Sequence, residues 1–233
     1  MTSRYHKTIG IIGGLGPLAS ANFYRCLVEE TRAGKDQEHP RVVFISDPAI
    51  PSRLDFLEGR GDSPVPALRN VAKQLVENGA DLIVLPSVTT HAFYEEIVES
   101  VPVPVVNLLE AITTSCKKEE VKRVAIALTS PARNTGLLSR YLNDSGIQVL
   151  LPEDSEQDEV QAIVNGIKKG QGVEHLAERL SQVISAGWTE SADTVLIGCT
   201  DISPLAPYLG NARIKDVAQV LATAVLGAAE MNS

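Results

Sequence analysis

Short, nearly continuous aliphatic runs recur along the chain: TIGII (8–12), RVVFIS (41–46), DLIVLP (81–86), VPVVNL (103–108), RVAIAL (123–128), IQVLLP (147–152), DTVLIG (193–198) and RIKD (213–216). Runs of this length, rich in Val and Ile and without polar alternation, predict strands covered on both faces. Helical periodicity fills the intervals near 17–33, 66–78, 91–99, 108–118, 134–143, 157–186 and 217–231, with Gly170 and Gly172 breaking the longest. Strand alternating with helix predicts an α/β chain built on parallel sheets.

The pattern also repeats. ADLIVLPS (80–87) aligns with ADTVLIGC (192–199) at an offset of 112 positions, and GIIGGLGP (10–17) with VAIALTSP (124–131) at 114. A duplicated pattern predicts two similar doubly wound lobes related by a pseudo-two-fold axis: residues 1–105 with 216–233 in the first, 106–215 in the second. Parallel sheets bind ligands beyond the carboxyl ends of their strands. Two facing lobes would then place Ser87 and Cys199 on opposite walls of one cleft, the expected active site.

Composition narrows the ligand. The chain has 233 residues, 44% of them hydrophobic, and a formal net charge of −8. An acidic chain is a poor match for nucleic acid or an anionic membrane surface, which favours a small-molecule partner. No apolar run approaches the roughly 20 residues that span a bilayer, and the opening MTSRYHKTIG has no apolar core of a secretory signal. A cytoplasmic protein is expected. The three cysteines, Cys26, Cys116 and Cys199, and the four histidines, His6, His39, His91 and His175, are scattered without metal-ligand spacing. Reduced thiols and no metal are expected.

Two strand ends carry the candidate chemistry. Cys199, between Gly198 and Thr200 just past a buried strand, would meet backbone N–H donors that favour a thiolate. Cys26 and Cys116 fall on helical patterns and read as small core residues. Ser87 holds the matching position in the first repeat. The glycine turn GGLGP follows the first strand, with Pro17 suited to open a helix. Its Gly14, Gly16 and Ala19 fit a loose dinucleotide pattern, but Asp47 lies 28 residues beyond Ala19, against a usual spacing of about 20. A turn that lets backbone approach a small carboxylate is the simpler reading.

IIGGLGP, DPAIPSRLDF, PSVTTH, LTSPARNTG and GCTDI occur in an order and spacing that resemble the cofactor-independent aspartate/glutamate racemases over essentially the whole chain. PSVTTH stands where that family has PCNTAH, and GCTDI where it has GCTE. The resemblance implies two acid/base residues on opposite sides of a substrate α-carbon, no pyridoxal phosphate or other cofactor, an amino acid or related carboxylate as substrate, and a homodimer. Cys199 would be the base on the L face and Ser87, in place of the first cysteine, its weaker partner. Arg53 would clamp a carboxylate, with Thr89, Thr129 and Thr200 as hydroxyl donors and Val88 replacing the family's asparagine. Glu159 stands where some relatives carry a substrate-binding lysine, and if it faces the pocket it would repel a second carboxylate and favour an ammonium or amide. Gly14, His91 and Asp201 are supporting residues, His91 either orienting its loop or transferring a proton, and Asp216 fixes a loop near the last strand.

The leading expectation is therefore a pyridoxal-independent amino-acid racemase. The alternatives are a one-cysteine lyase or decarboxylase on the same scaffold, for which a lone thiol suffices to protonate a carbanion, and a catalytically impaired ligand-binding homologue.

Overall fold

A computed structural model describes residues 4–210 and 213–230. The chain divides into two compact units, one running to Ala111 and resuming at Ala218, the other Ile112–Val217. Each holds a four-stranded parallel sheet.

In the first unit the strands are β1 (Ile9–Gly13), β2 (Val42–Ser46), β3 (Leu82–Val84) and β4 (Val105–Val106), in the order β2-β1-β3-β4. All residues of the central strands β1 and β3 are buried, whereas the edge strand β2 is half exposed. That is why the central runs are aliphatic without alternation. Helices α1 (Pro17–Thr31), α2 (Arg53–Leu57), α3 (Val65–Glu77), α4 (Tyr94–Val98) and α5 (Leu108–Lys118) follow in turn. Leu68, Val71, Ala72 and Leu75 of α3 pack with Ile12, Ile83 and Leu85 of the sheet region and with Phe93 and Ile97. Fully burying such a side chain contributes roughly 1.5–3 kcal/mol.

The second unit repeats the plan with β5 (Arg123–Ala127), β6 (Gln148–Leu150), β7 (Thr194–Ile197) and β8 (Ile214–Asp216), ordered β6-β5-β7-β8. Its helices are α6 (Ser130–Thr135), α7 (Leu137–Asp144), α8 (Asp154–Lys168) and α9 (Val173–Ile184), and α10 (Val217–Glu230) leads back into the first unit. Val160, Ile163 and Val164 of α8 and Leu176 and Leu180 of α9 cover Ala125, Val195 and Ile197.

The expected α/β class and all eight strands are present. The broken 157–186 helix is α8 and α9, separated at Lys169–Gly172. The helix expected from 134 begins earlier, because Thr129 caps α6 by accepting the amide of Ala132, and it breaks at Gly136, whose φ is +62°. The short α2 and a 3-10 helix over Ser203–Tyr208 were not expected. At two turns or fewer, periodicity has too few residues to register them.

The duplication extends to individual bonds. Asp81, at the start of β3, accepts the amide of Thr8 at 2.7 Å, beside β1. Asp193, its counterpart in the second repeat, accepts the amides of Lys122 and Arg123 at 2.8 Å each, beside β5. Those amides hold the Asp193 carboxyl below the usual carboxylate range.

Candidate active site

A strand order of this kind leaves a crevice beyond the carboxyl ends of its two central strands, where successive connections depart in opposite directions. In the first unit the turns there follow β1 and β3, and carry Gly14 and Ser87. In the second they follow β5 and β7, and carry Thr129 and Cys199.

Gly14 sits at φ +86°, and a Cβ there would fall 2.4 Å from the carbonyl carbon and oxygen of Asp47. Only glycine lets the turn after β1 press against the end of β2. Arg53, at the start of α2, donates from Nη2 to the Leu15 carbonyl in the same turn, at 2.5 Å. The expected carboxylate clamp thus lies against the β1–α1 turn, with one donor engaged by backbone.

Ser87 is buried, and its hydroxyl belongs to a cluster. Thr90 Oγ1 donates to Ser87 Oγ at 2.8 Å, and the half-buried Thr89 places its hydroxyl oxygen 3.3 Å from the same atom. Val88 is buried apolar surface beside them. His91 turns to the backbone rather than to the Ser87 hydroxyl: its Nδ1 lies 2.8 Å from the Ser87 carbonyl oxygen, and its Nε2 accepts the Leu108 amide at 2.9 Å. A carbonyl can only accept, so Nδ1 carries the proton. Burial pushes the His91 pKa down to about 4, against the favourable backbone bonds to Ser87 and Val106. The neutral imidazole thus has both nitrogens engaged by backbone, at the Ser87 carbonyl and the Leu108 amide.

Cys199 is half-buried, in a turn where Gly198 must lack a side chain: a Cβ would fall 2.6 Å from Ile126 Cγ2. Burial pushes its thiol up to about 12, with the Asp201 carboxylate adding to the rise. The backbone amides of Asp201 and Ile202 and the charge of Lys168 work the other way. Lys168 pairs with Asp201 at 3.2 Å. The donors expected around the sulfur are therefore present, but desolvation outweighs them, and the resting group at neutral pH is the thiol. Thr200 is buried next to it.

Glu159 accepts from Arg179 Nε at 2.7 Å, bridging α8 and α9, and this bond holds its carboxyl below the usual range. Arg179 thus balances the Glu159 charge. The α8 side chains that reach the β5–α6 turn are Gln157 and Gln161. Buried Gln157 donates from Nε2 to the Leu128 carbonyl at 2.9 Å and to Ser130 Oγ at 3.1 Å. Gln161 accepts the Ser130 amide at 2.8 Å. Their i, i+4 spacing within QDEVQAI was the available signal for a shared face. Asp216 accepts the Ser203 hydroxyl at 2.5 Å, both residues being buried.

Two α/β units with four-stranded parallel sheets match the architecture of two-lobed aspartate/glutamate racemases. A family model described as Asp/Glu/Hydantoin racemase matches residues 12–229. The chain belongs to that family and is an isomerase of the amino-acid racemase class. It is 25% identical over 208 residues to the broad specificity amino-acid racemase RacX of Bacillus subtilis (strain 168), covering 86% of this chain and 88% of the relative. Picrophilus torridus aspartate racemase shares 29% identity at a TM-score of 0.84, over 96% of this chain and 94% of that one. Glutamate racemase from Francisella tularensis subsp. tularensis SCHU S4, in complex with D-glutamate, shares the fold at a TM-score of 0.61 and 16% identity, over 96% and 81% of the two chains. Among the described residues no helix is long and apolar enough to cross a membrane.

Proposed function

We propose that the protein racemises amino acids without pyridoxal phosphate, Cys199 taking the α-proton from an L-substrate and Ser87 supplying a proton on the other side. The observation that carries this reading is the matched placement of Ser87 and Cys199 just past equivalent strands, β3 and β7, of two units with the same strand order. Inversion needs two acid/base groups, since a single one returns the proton to the face it came from.

The thiol must first give its proton to solvent. A bound substrate brings an ammonium group, and a positive charge near sulfur favours the thiolate, in the same direction as Lys168 and the two amides. The thiolate then takes the α-hydrogen and becomes a thiol. The electron pair spreads into the substrate carboxylate, which Arg53 and the hydroxyls of Thr89, Thr129 and Thr200 stabilise by donating hydrogen bonds. Ser87 gives its proton to the opposite face of the carbanion, and the resulting alkoxide keeps the hydrogen bond from Thr90. Solvent restores the Ser87 proton. Serine is a much weaker acid than a thiol, so this second transfer limits the rate.

With Glu159 balanced by Arg179, the reading favours a broad range of side chains over a strict dicarboxylate. It carries with it a cytoplasmic homodimer, as the family resemblance suggests. Chiral chromatography of a panel of L-amino acids incubated with the protein is the test. Racemisation that is lost in Cys199→Ala and increased in Ser87→Cys supports the reading. Turnover that survives Cys199→Ala, or carbon dioxide release from a substituted malonate without racemisation of any amino acid, contradicts it.

A further inference from the structure

The residue four positions beyond Ser87 is His91, and four beyond Cys199 is Ser203. Both are buried. Both bind the carbonyl of the residue four before them: His91 through Nδ1 at 2.8 Å, Ser203 through its amide at 3.3 Å, alongside the Ile202 amide at 3.0 Å. Each also ties its turn to the next parallel strand. His91 Nε2 accepts the amide of Leu108, just past β4, which pairs with β3. Ser203 Oγ donates to Asp216, the last residue of β8, which pairs with β7 and sets Asp216 opposite Ile197. A similar connection is thus made twice: in the first repeat the imidazole makes both bonds, and in the second backbone amides hold the carbonyl while a hydroxyl–carboxylate pair makes the strand anchor.

We propose that His91 and Ser203 are equivalent positioning residues, His91 acting through Ser87 and Ser203, with Asp216, through Cys199. The inference rests on the proton-transfer roles given to Ser87 and Cys199 above. The physical reason is angular. Ser87 and Cys199 stand on turns outside the sheet ladders, where a freed carbonyl lets the peptide rotate and the side chain with it. A displacement of about 1 Å at a reacting atom is enough to cost about a hundredfold in rate. The His91 tether removes that rotation by binding the Ser87 carbonyl and anchoring the turn to a neighbouring strand, whereas the Ser203–Asp216 tether anchors a turn whose Cys199 carbonyl is already held by backbone amides. Because the two tethers lie in different units, each governs one proton transfer and leaves the other unaffected.

A merely structural role would not discriminate between the two faces of a substrate, so the test reads the faces separately. In heavy water, proton NMR follows α-hydrogen exchange from L- and D-alanine and from L- and D-lysine in wild type, His91→Asn, Ser203→Ala and Ser203→Thr, with melting temperatures recorded for each. The expected result is that His91→Asn slows D-side exchange tenfold or more while L-side exchange stays within twofold. Ser203→Ala does the reverse, and Ser203→Thr, which keeps the hydroxyl, restores L-side exchange. Equal slowing of both sides by either variant, or no change in either, overturns the proposal. A second readout needs no substrate: the pH profile of Cys199 alkylation by iodoacetamide, read by peptide mass, moves in Ser203→Ala and stays in place in His91→Asn. If wild type exchanges none of these amino acids, the racemase reading fails for them, and an unmoved alkylation profile in Ser203→Ala would still overturn the tether.

Discussion

Thr90 donates its hydroxyl hydrogen to the hydroxyl oxygen of Ser87 across 2.8 Å, from a position with no exposure to solvent. The bond occupies a lone pair of Ser87 and turns the serine's own proton elsewhere. It would also stabilise an alkoxide formed there in the proposed reaction, by the greater strength of hydrogen bonds to charged acceptors. Thr90→Val, which keeps the shape and removes the donor, is expected to slow the appearance of D-product from an L-amino acid by tenfold or more. Thr90→Ser should retain most of the wild-type rate. Chiral product assays check both, and an unchanged rate in Thr90→Val would remove Thr90 from the account.

Acid stability should carry the mark of His91. Its pKa is lowered by burial to about 4, whereas an unfolded chain binds that proton near 6.5. Stability from the neutral imidazole is fully present above about pH 6.5 and is lost as pH falls toward 4, a change of about 3 kcal/mol. Urea unfolding of wild type and His91→Gln between pH 7 and 4 tests this. The variant is less stable at pH 7, and its stability declines less steeply; parallel curves would refute the assignment.

The Cys199 thiol is raised by burial and, next, by Asp201, and lowered by two amides and by Lys168. In the free protein, alkylation of Cys199 should therefore climb about tenfold per pH unit through neutrality and keep climbing well above pH 9. Asp201→Asn removes a raising influence and should speed alkylation at pH 8, whereas Lys168→Met removes a lowering one and should slow it. Rates that move the opposite way in either variant would show that the charges near the sulfur are misassigned.

Gly14→Ala offers a test of the fold rather than the chemistry. The added Cβ would meet Asp47 backbone at 2.4 Å in a left-handed conformation, so neither a rotamer change nor a small shift relieves it. A loss of about 3 kcal/mol or more is expected from strain and overlap together, read as a drop in melting temperature or in soluble yield. Wild-type stability in that variant would contradict the close approach of the β1–α1 turn to β2.

Much of the fold was legible because its strands are buried on both faces. IGIIG and TVLI are aliphatic runs for that reason, and the recurrence of each motif at an offset of 114 or 112 positions marks two similar units. The strand ends bearing Ser87 and Cys199 were legible for the same reason, since the repeat aligns them. What could not be read was direction. Whether His91 turns toward the Ser87 hydroxyl or its carbonyl depends on Leu108, 17 residues away. Glu159 pairs with Arg179 on the next helix, and no local pattern announces that. Gln157 shares a helical face with Gln161, but only the position of the β5–α6 turn gives that face a purpose.

The most direct measurement is solvent deuterium uptake at the α-carbon of L-amino acids in heavy water, followed by proton NMR, with chiral analysis of the same samples. The account predicts that the wild-type protein exchanges the α-hydrogen of the L-form faster than it yields the D-form, that both processes occur, and that both vanish in Cys199→Ala. Exchange persisting in Cys199→Ala, or no exchange with any L-amino acid tested, would contradict the assignment of Cys199 as the base of a racemase.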